Sequence, residues 1–189
     1  MKRALLALAV ARTAAADPPG GAAPPDGADG WKTVGIDATA SIPLSPWIHA
    51  TGYGGGGSIW LHLPITDVVE VTARLGATVH AQRPVGALAP GASARLSEVP
   101  LLGGARYRLT DGVVRGYLEG EVGLIFRRVD VDVQGLTDDS ARIRLASSLG
   151  VAVELDRFEL RGAVWLADLS DLDHEIGIVA AFGARFYSF

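Results

Sequence analysis

Apolar and polar residues alternate along most of the chain after residue 32. The pattern is clearest at the C-terminal end, where every second residue from Ile176 to Phe186 is apolar. A period of two over this length predicts a long β-strand with one apolar and one mixed face. The same pattern recurs along the chain and predicts eight strands, at residues 33–42, 52–63, 67–81, 96–109, 113–129, 141–155, 158–169 and 174–189.

The predicted connections alternate in length. Those after the second, fourth and sixth strands are tight turns, at 64–66, 110–112 and 156–157, whereas 43–51, 83–95 and the acidic stretch 130–140 are predicted to be long loops. The link 170–173 is intermediate. Nearest-neighbour connections predict an up-and-down meander, and Pro100 predicts a local bulge in the fourth strand because proline is poorly tolerated in paired strands.

Charged residues concentrate on the polar face of these strands, with signs that are interleaved and nearly balanced. Balance suits a closed interior, where each buried charge needs a partner, and almost all the positive charge is arginine, which suits buried ion pairs better than lysine. We therefore predict an interior ion-pair network. Its candidate residues are Asp37, Glu70, Arg74, Glu98, Arg106, Arg108, Arg115, Glu119, Glu121, Arg142, Arg144, Glu154, Glu159, Arg161 and Arg185.

The predicted fold is all-β, an eight-stranded antiparallel up-and-down transmembrane β-barrel. Eight strands leave an interior only wide enough for side chains, so we expect an ion-paired plug and no open pore. Predicted interfacial aromatics, among them Tyr107, Phe126, Phe158 and Phe186, sit toward strand ends. The alternative is a soluble, lipocalin-like barrel with its apolar face inward.

Composition agrees with a barrel and excludes several other classes. Hydrophobic residues make up 49% of the 189 residues, and mean hydropathy is +0.27, yet no run of about 18 apolar residues predicts a transmembrane helix. The absence of cysteine excludes disulfides and thiolate metal sites. The net charge is −4 without a basic cluster, which argues against nucleic acid as a partner.

The N-terminus has the three parts of a secretory signal peptide. A basic start at Lys2 and Arg3 precedes a short apolar core and the small residues Ala14 to Ala16. We predict a signal peptide at residues 1–16, a flexible lead rich in proline and glycine at 17–30, and the barrel at 31–189.

Three stretches, at 98–109, 116–124 and 183–189, resemble the small eight-stranded bacterial outer-membrane barrels, the group that includes OmpX and the transmembrane domain of OmpA. Chains of that group typically end on Phe with an aromatic residue two positions earlier, as Phe189 and Tyr187 do here. Arg185 departs from the pattern, because the family usually has an apolar residue there, and a bulge is expected nearby.

The resemblance implies a multi-pass protein of the bacterial outer membrane with both termini in the periplasm. Its implied partners are outer-membrane lipid, lipopolysaccharide, the outer-membrane insertion machinery during assembly, and an unknown extracellular loop ligand. In the resemblance, Tyr187 and Phe189 form the C-terminal assembly signal.

Few residues suggest other chemistry. The glycines at 54–57 lack the lysine and helix of a phosphate loop and are better explained by close strand packing. His62 and His80 share the polar face of adjacent strands, where the two rings could meet. Interior hydrogen bonding is predicted for them, and the alternative is a metal-binding or proton-handling pair. The acidic residues Asp168, Asp171, Asp173 and Glu175 are predicted to form a solvated loop. No cofactor, catalytic residue or metal site is expected.

The predicted function is a non-enzymatic integral outer-membrane barrel with a structural or surface-contact role through its outer loops. One alternative is a narrow channel for small or hydrophobic solutes, as in OmpW. Another is a lipid A-modifying enzyme, for which Ser170, Asp171 and His174 are the available set.

Overall fold

The computed structural model describes residues 32–45, 52–84, 91–133, 136–167, 169 and 175–188. They form eight strands. In chain order these are β1 Thr33–Ser45, β2 Gly54–Pro64, β3 Val69–His80, β4 Ser93–Arg108, β5 Val114–Val133, β6 Leu136–Leu155, β7 Phe158–Ala167 and β8 Glu175–Ser188. No helix in this part of the chain is long and apolar enough to cross a membrane.

Each strand pairs antiparallel with the strand before and after it, and β1 pairs with β8. Pairing of Ala38 with Phe182 and of Ala40 with Ala180 closes the sheet. A two-residue strand, Arg83–Pro84, pairs with Ser93 and Ala94 and lengthens the β3–β4 hairpin. The predicted eight-stranded antiparallel barrel is confirmed.

The polar face of each strand points inward and the apolar face points outward. Glu119, Glu121 and Arg161 are buried, whereas Leu149 and Leu160 on the outer face are exposed. In a soluble barrel the burial would be reversed, because apolar side chains would fill the interior. This arrangement is that of a transmembrane barrel, whose outer face meets lipid.

One end of the barrel, called here the turn end, carries short connections. They span residues 65–68, 109–113 and 156–157. Both described chain ends, at Thr33 and Ser188, pair at this end. The opposite end, called here the hairpin end, carries the tip of β5 and β6.

Two expectations about irregular structure are corrected. The described residues of 130–140 do not form a long loop, because β5 continues to Val133, β6 begins at Leu136, and Asp130 pairs with Asp139. The alternation of β-branched Val129, Val131 and Val133 with acidic residues sustains a strand there. Pro100 causes no register shift, since pairing on either side of it keeps one register, and it lies across from Gly76, which leaves room for the ring.

The bulge expected near Arg185 is present. Val34 pairs with Tyr187 but Gly35 pairs with Arg185, so Phe186 is the extra residue. The extra residue shifts the pairing register between β1 and the end of β8 by one residue.

The glycines at 54–57 lie in β2, as close strand packing requires. A Cβ on Gly56 would stand 1.9 Å from the carbonyl oxygen of Ala77, so only glycine fits without moving the backbone.

Candidate functional site

The interior of the barrel is the candidate functional site, because alternation brings one face of all eight strands into it. Near the middle, Arg74 of β3 contacts Asp37 of β1 and stands 3.3 Å from Glu121 of β5. Ser58 joins the group, donating through its hydroxyl to Asp37 over 2.6 Å. One arginine thus holds three strands together.

Arg161 of β7 makes the second central contact. Its Nε donates to Glu119 over 2.6 Å, and its Nη2 donates to Glu121 over 2.7 Å. The same Nη2 lies 2.8 Å from the hydroxyl oxygen of Ser148. Charge-assisted bonds of this kind are the strong ones inside a protein.

Arg106 of β4 is the centre of a third group, nearer the turn end. It reaches Glu70 at 2.6 Å, Glu159 at 2.9 Å and Glu154 at 3.6 Å. Its guanidinium carbon also lies 4.0 Å above the centre of the Tyr117 ring, a cation–π contact. The three carboxylates come from β3, β6 and β7, so this arginine spans the barrel.

Two further arginines complete the turn end. Arg108 lies 3.6 Å from Glu70, and Arg185 lies 2.9 Å from Glu154. The Arg185 side chain is a quarter exposed, so this end of the network faces solvent.

A separate group lies at the hairpin end. His80 stands 3.2 Å from Glu98, which also contacts Arg127 at 2.6 Å. Arg127 in turn contacts Glu175. The other ring nitrogen of His80 lies 3.0 Å from the carbonyl oxygen of Gly52, so this histidine has partners on both sides.

His62 has different surroundings. It is buried, and its ring stacks on that of Trp60 with centroids 4.2 Å apart. Neither of its ring nitrogens has a hydrogen-bond partner among the described residues. One ring nitrogen and carboxylate oxygens of Glu119 and Glu159 lie within 4.8 Å of one another.

The two histidines do not form a pair. His62 lies opposite Thr72 in the β2–β3 register, eight residues from His80, or about 26 Å along the strand. The two rings therefore do not meet, and the predicted interior hydrogen bonds are confirmed for His80 but wrong for His62 among the described residues.

Several other predicted residues stand outside the groups described above. Arg142 is exposed on β6 beyond the barrel wall, which corrects its predicted interior position; Arg115 and Arg144 are half-buried. Tyr187 pairs with Val34, and Phe189 lies outside the described residues, as do Asp168, Ser170, Asp171, Asp173 and His174.

Two members of the hairpin-end group were missed as network residues. Arg127 follows the polar alternation of β5 and could have been included from that signal alone. Glu175 was assigned to the acidic loop, but it is the first residue of β8 and is buried. Its position next to three other acidic residues concealed its alternation with Gly177 and Val179.

The known proteins that this chain resembles are similar to it in structure. No protein-family model and no curated protein matches the sequence. Among solved structures, the chain is similar to Ail, the attachment invasion locus protein of Yersinia pestis, at 12% identity and a TM-score of 0.62, with 85% of this chain and 99% of that chain covered. The fold is that of the small eight-stranded outer-membrane β-barrels.

Two more structures of this type agree. Neisserial surface protein A has a TM-score of 0.53 at 16% identity, covering 82% of this chain and 97% of that one. The N-terminal β-barrel domain of Pseudomonas aeruginosa OprF has a TM-score of 0.54 at 17% identity, with the same coverage. The eight-stranded outer-membrane barrel therefore accounts for nearly all of each compared chain, and the resemblance read from the sequence is confirmed at the level of fold.

Proposed function

We propose that this chain is an integral protein of the bacterial outer membrane whose closed barrel holds the β5–β6 hairpin outside the cell as a contact surface. In this proposal both termini face the periplasm, the barrel sits in lipid and lipopolysaccharide, and Tyr187 and Phe189 are read by the insertion machinery during assembly. The observation that carries the proposal is the length of β5 and β6.

Each of these two strands has 20 residues, whereas β2 has 11 and β7 has 10. A tilted strand crosses a bilayer in about 9–11 residues, so β5 and β6 extend well past the membrane. The extension lies at the end opposite the short turns. Outer-membrane barrels keep their short turns in the periplasm, which favours an extracellular position for the hairpin.

The surface of this hairpin suits contact with another molecule. Arg128, Arg142 and Ile143 are exposed there. Among the described residues, β6 is paired with β7 only from Ala146 onward, apart from one hydrogen bond from Leu169 to Leu145. A strand edge without a neighbour can pair with a segment of another chain. Ail, the attachment invasion locus protein, has the same fold, and its name supports a role of this kind.

The test is a shortened hairpin. Replacing residues 131–138 by Asn-Gly should leave a barrel that still reaches the outer membrane, because the removed segment lies beyond the membrane span. We expect the full chain to confer surface attachment on the cells that carry it, and the shortened chain to lose that attachment. Equal attachment by both chains would contradict a contact role for the hairpin.

A separate experiment tests which end of the barrel faces the outside of the cell. Because the chain has no cysteine, a single cysteine introduced at either end can be labelled specifically. Arg142→Cys at the hairpin end should react with a membrane-impermeant maleimide on intact cells, whereas Val113→Cys at the turn end should react only after the outer membrane is opened. Both positions are exposed, so accessibility to reagent would differ only through the membrane. The reverse pattern would show that the barrel is inserted the other way round.

The channel and enzyme alternatives make different predictions in the same preparation. The arginines that span the interior support a barrel without steady conductance in planar bilayers, and the proposal includes no enzyme activity. Ser170, Asp171 and His174 lie outside the described residues. Conductance would favour the channel, and lipid A deacylation lost in His174→Ala would favour the enzyme.

A further inference from the structure

Around His62, three buried side chains capable of binding a metal ion come together. His62 comes from β2, Glu119 from β5 and Glu159 from β7, so three strands that are not neighbours bring these side chains together. All three side chains are buried, and one ligand atom from each lies within 4.8 Å of the others. The alternation within any one strand does not predict that these three side chains meet.

His62 has an unmet requirement for a partner. A buried polar group normally has a hydrogen-bond partner, because losing water without compensation costs free energy. Both ring nitrogens of His62, which is 1% exposed, have none among the described residues. The Oε1 atom of Glu119 is in the same situation. His62 and Glu119 thus each have a buried atom without a described partner, and both belong to the same group of three side chains.

The interior glutamates differ in the number of arginines that they contact. Three interior glutamates each contact two arginines, and these are Glu70, Glu121 and Glu154. Glu119 contacts Arg161 alone, and Glu159 contacts Arg106 alone, among the described ion pairs. Each of these two arginines is also shared with other carboxylates. The two glutamates near His62 thus each have a single described arginine partner.

We propose that His62, Glu119 and Glu159 bind a divalent transition-metal ion of the zinc type inside the barrel. An imidazole nitrogen and two carboxylate oxygens form a ligand set that zinc accepts, with a fourth position left for water. The imidazole disfavours calcium and magnesium, which take oxygen ligands. Zinc ligands lie at about 2.0–2.2 Å from the metal, so small side-chain rotations would bring the three groups to it.

The surrounding residues support such a site. Trp60 stacks on the His62 ring and fixes its plane, while Arg161 and Arg106 hold Glu119 and Glu159 through their Oε2 atoms. Partners of this kind orient metal ligands and hold their affinity. An ion here would also link β2, β5 and β7 across the interior.

In the experiment, the full chain is refolded in detergent micelles with zinc chloride, and unbound metal is then removed. We expect one zinc per chain by elemental analysis, and no retained magnesium when magnesium replaces zinc. His62→Gln and Glu119→Gln should each weaken zinc binding at least about ten-fold. His80→Gln is the matched control, because it alters the other buried histidine and should retain the full zinc content.

If a variant fails to fold, measurements on the wild-type chain still test whether zinc binds at His62. X-ray absorption at the zinc edge should show one imidazole and otherwise oxygen ligands at about 2.0–2.2 Å. Absence of zinc from the refolded wild-type chain, a shell without imidazole, or equal zinc content in His62→Gln would each overturn the proposal. Folding of every variant is checked by the mobility change on boiling.

Discussion

Four arginines inside the barrel, Arg74, Arg106, Arg127 and Arg161, each contact more than one carboxylate. Arg161 holds both Glu119 and Glu121, and all three side chains are nearly inaccessible to solvent. Water is the usual alternative partner of a charge, and here it is excluded, so the loss of one partner leaves the others uncompensated. At the scale of single residues, the interior network is therefore more sensitive to removal of a charge than an exposed ion pair would be.

Arg161→Met should lower the free energy of unfolding by about 3–5 kcal/mol, because it leaves two buried carboxylates without their shared cation. Urea unfolding in micelles, followed by tryptophan fluorescence, measures the change. Arg142→Met is the matched control, since that arginine is exposed, and its effect should stay within about 0.5 kcal/mol. Adding Glu119→Gln to Arg161→Met should restore part of the loss, and failure to do so would count against the shared-cation explanation.

The faces of the strands could be predicted from the sequence, whereas the contacts between their side chains could not. Arg106 and Glu159 both follow the polar alternation, but their 2.9 Å contact joins β4 to β7 across the barrel. Such a contact depends on the stagger of all eight strands, which alternation in one strand does not contain. The same limit concealed the convergence of His62 with Glu119, because no short segment holds both.

At the scale of strands, the side chains on the outer face determine whether a strand can lie against lipid. Leu124 of β5 lies between Leu101 of β4 and Leu145 of β6, and all three are exposed on the outer face. The row lies in the part of β5 that is paired on both sides. A charge placed in this row would have to enter the apolar layer of the membrane.

Leu124→Arg should destabilise the folded barrel, because the charge would enter the apolar layer, at a cost that is about 2–4 kcal/mol at the bilayer midplane and smaller toward the interfaces. Chemical unfolding in lipid vesicles measures the difference from wild type. Val113→Arg is the control, because Val113 is exposed in the β4–β5 turn, outside the strands, where the cost should be close to zero. Equal costs for the two variants would mean that the Leu124 row does not face lipid.

Strand boundaries show where the alternation is informative and where it misleads. The prediction placed the start of β1 at residue 33 and the end of β6 at residue 155, where the structure has them. The prediction is wrong at 130–133 and 136–140, where acidic residues suggest a loop, because a strand beyond the membrane can carry such residues on both faces. A strand that crosses lipid cannot carry acidic residues on its outer face, and the two parts of β5 differ in this respect.

At the scale of the whole molecule, closure depends on the seam between β1 and β8, the strands furthest apart in sequence. Nine of the pairs in this seam run without interruption from Gly35 with Arg185 to Pro43 with Gly177. Every other seam joins neighbours in the chain, so this one has the greatest loop-closure cost and depends on its ladder. An open sheet would expose two strand edges to lipid, where unpaired backbone groups are not tolerated.

Ala38→Pro should therefore prevent closure. Ala38 lies in the middle of β1, between β2 and β8, and proline there removes a donor from a strand that is paired on both sides. The wild-type chain should migrate differently before and after boiling in detergent, as a closed barrel resists unfolding at room temperature, and Ala38→Pro should lose that difference. Ala38→Val, which changes the same outward-facing position without removing the donor, should keep it. A full mobility shift in Ala38→Pro would mean that the barrel is held closed by its interior ion pairs even when the seam is broken, and would move the source of its stability from the backbone ladder to the arginines.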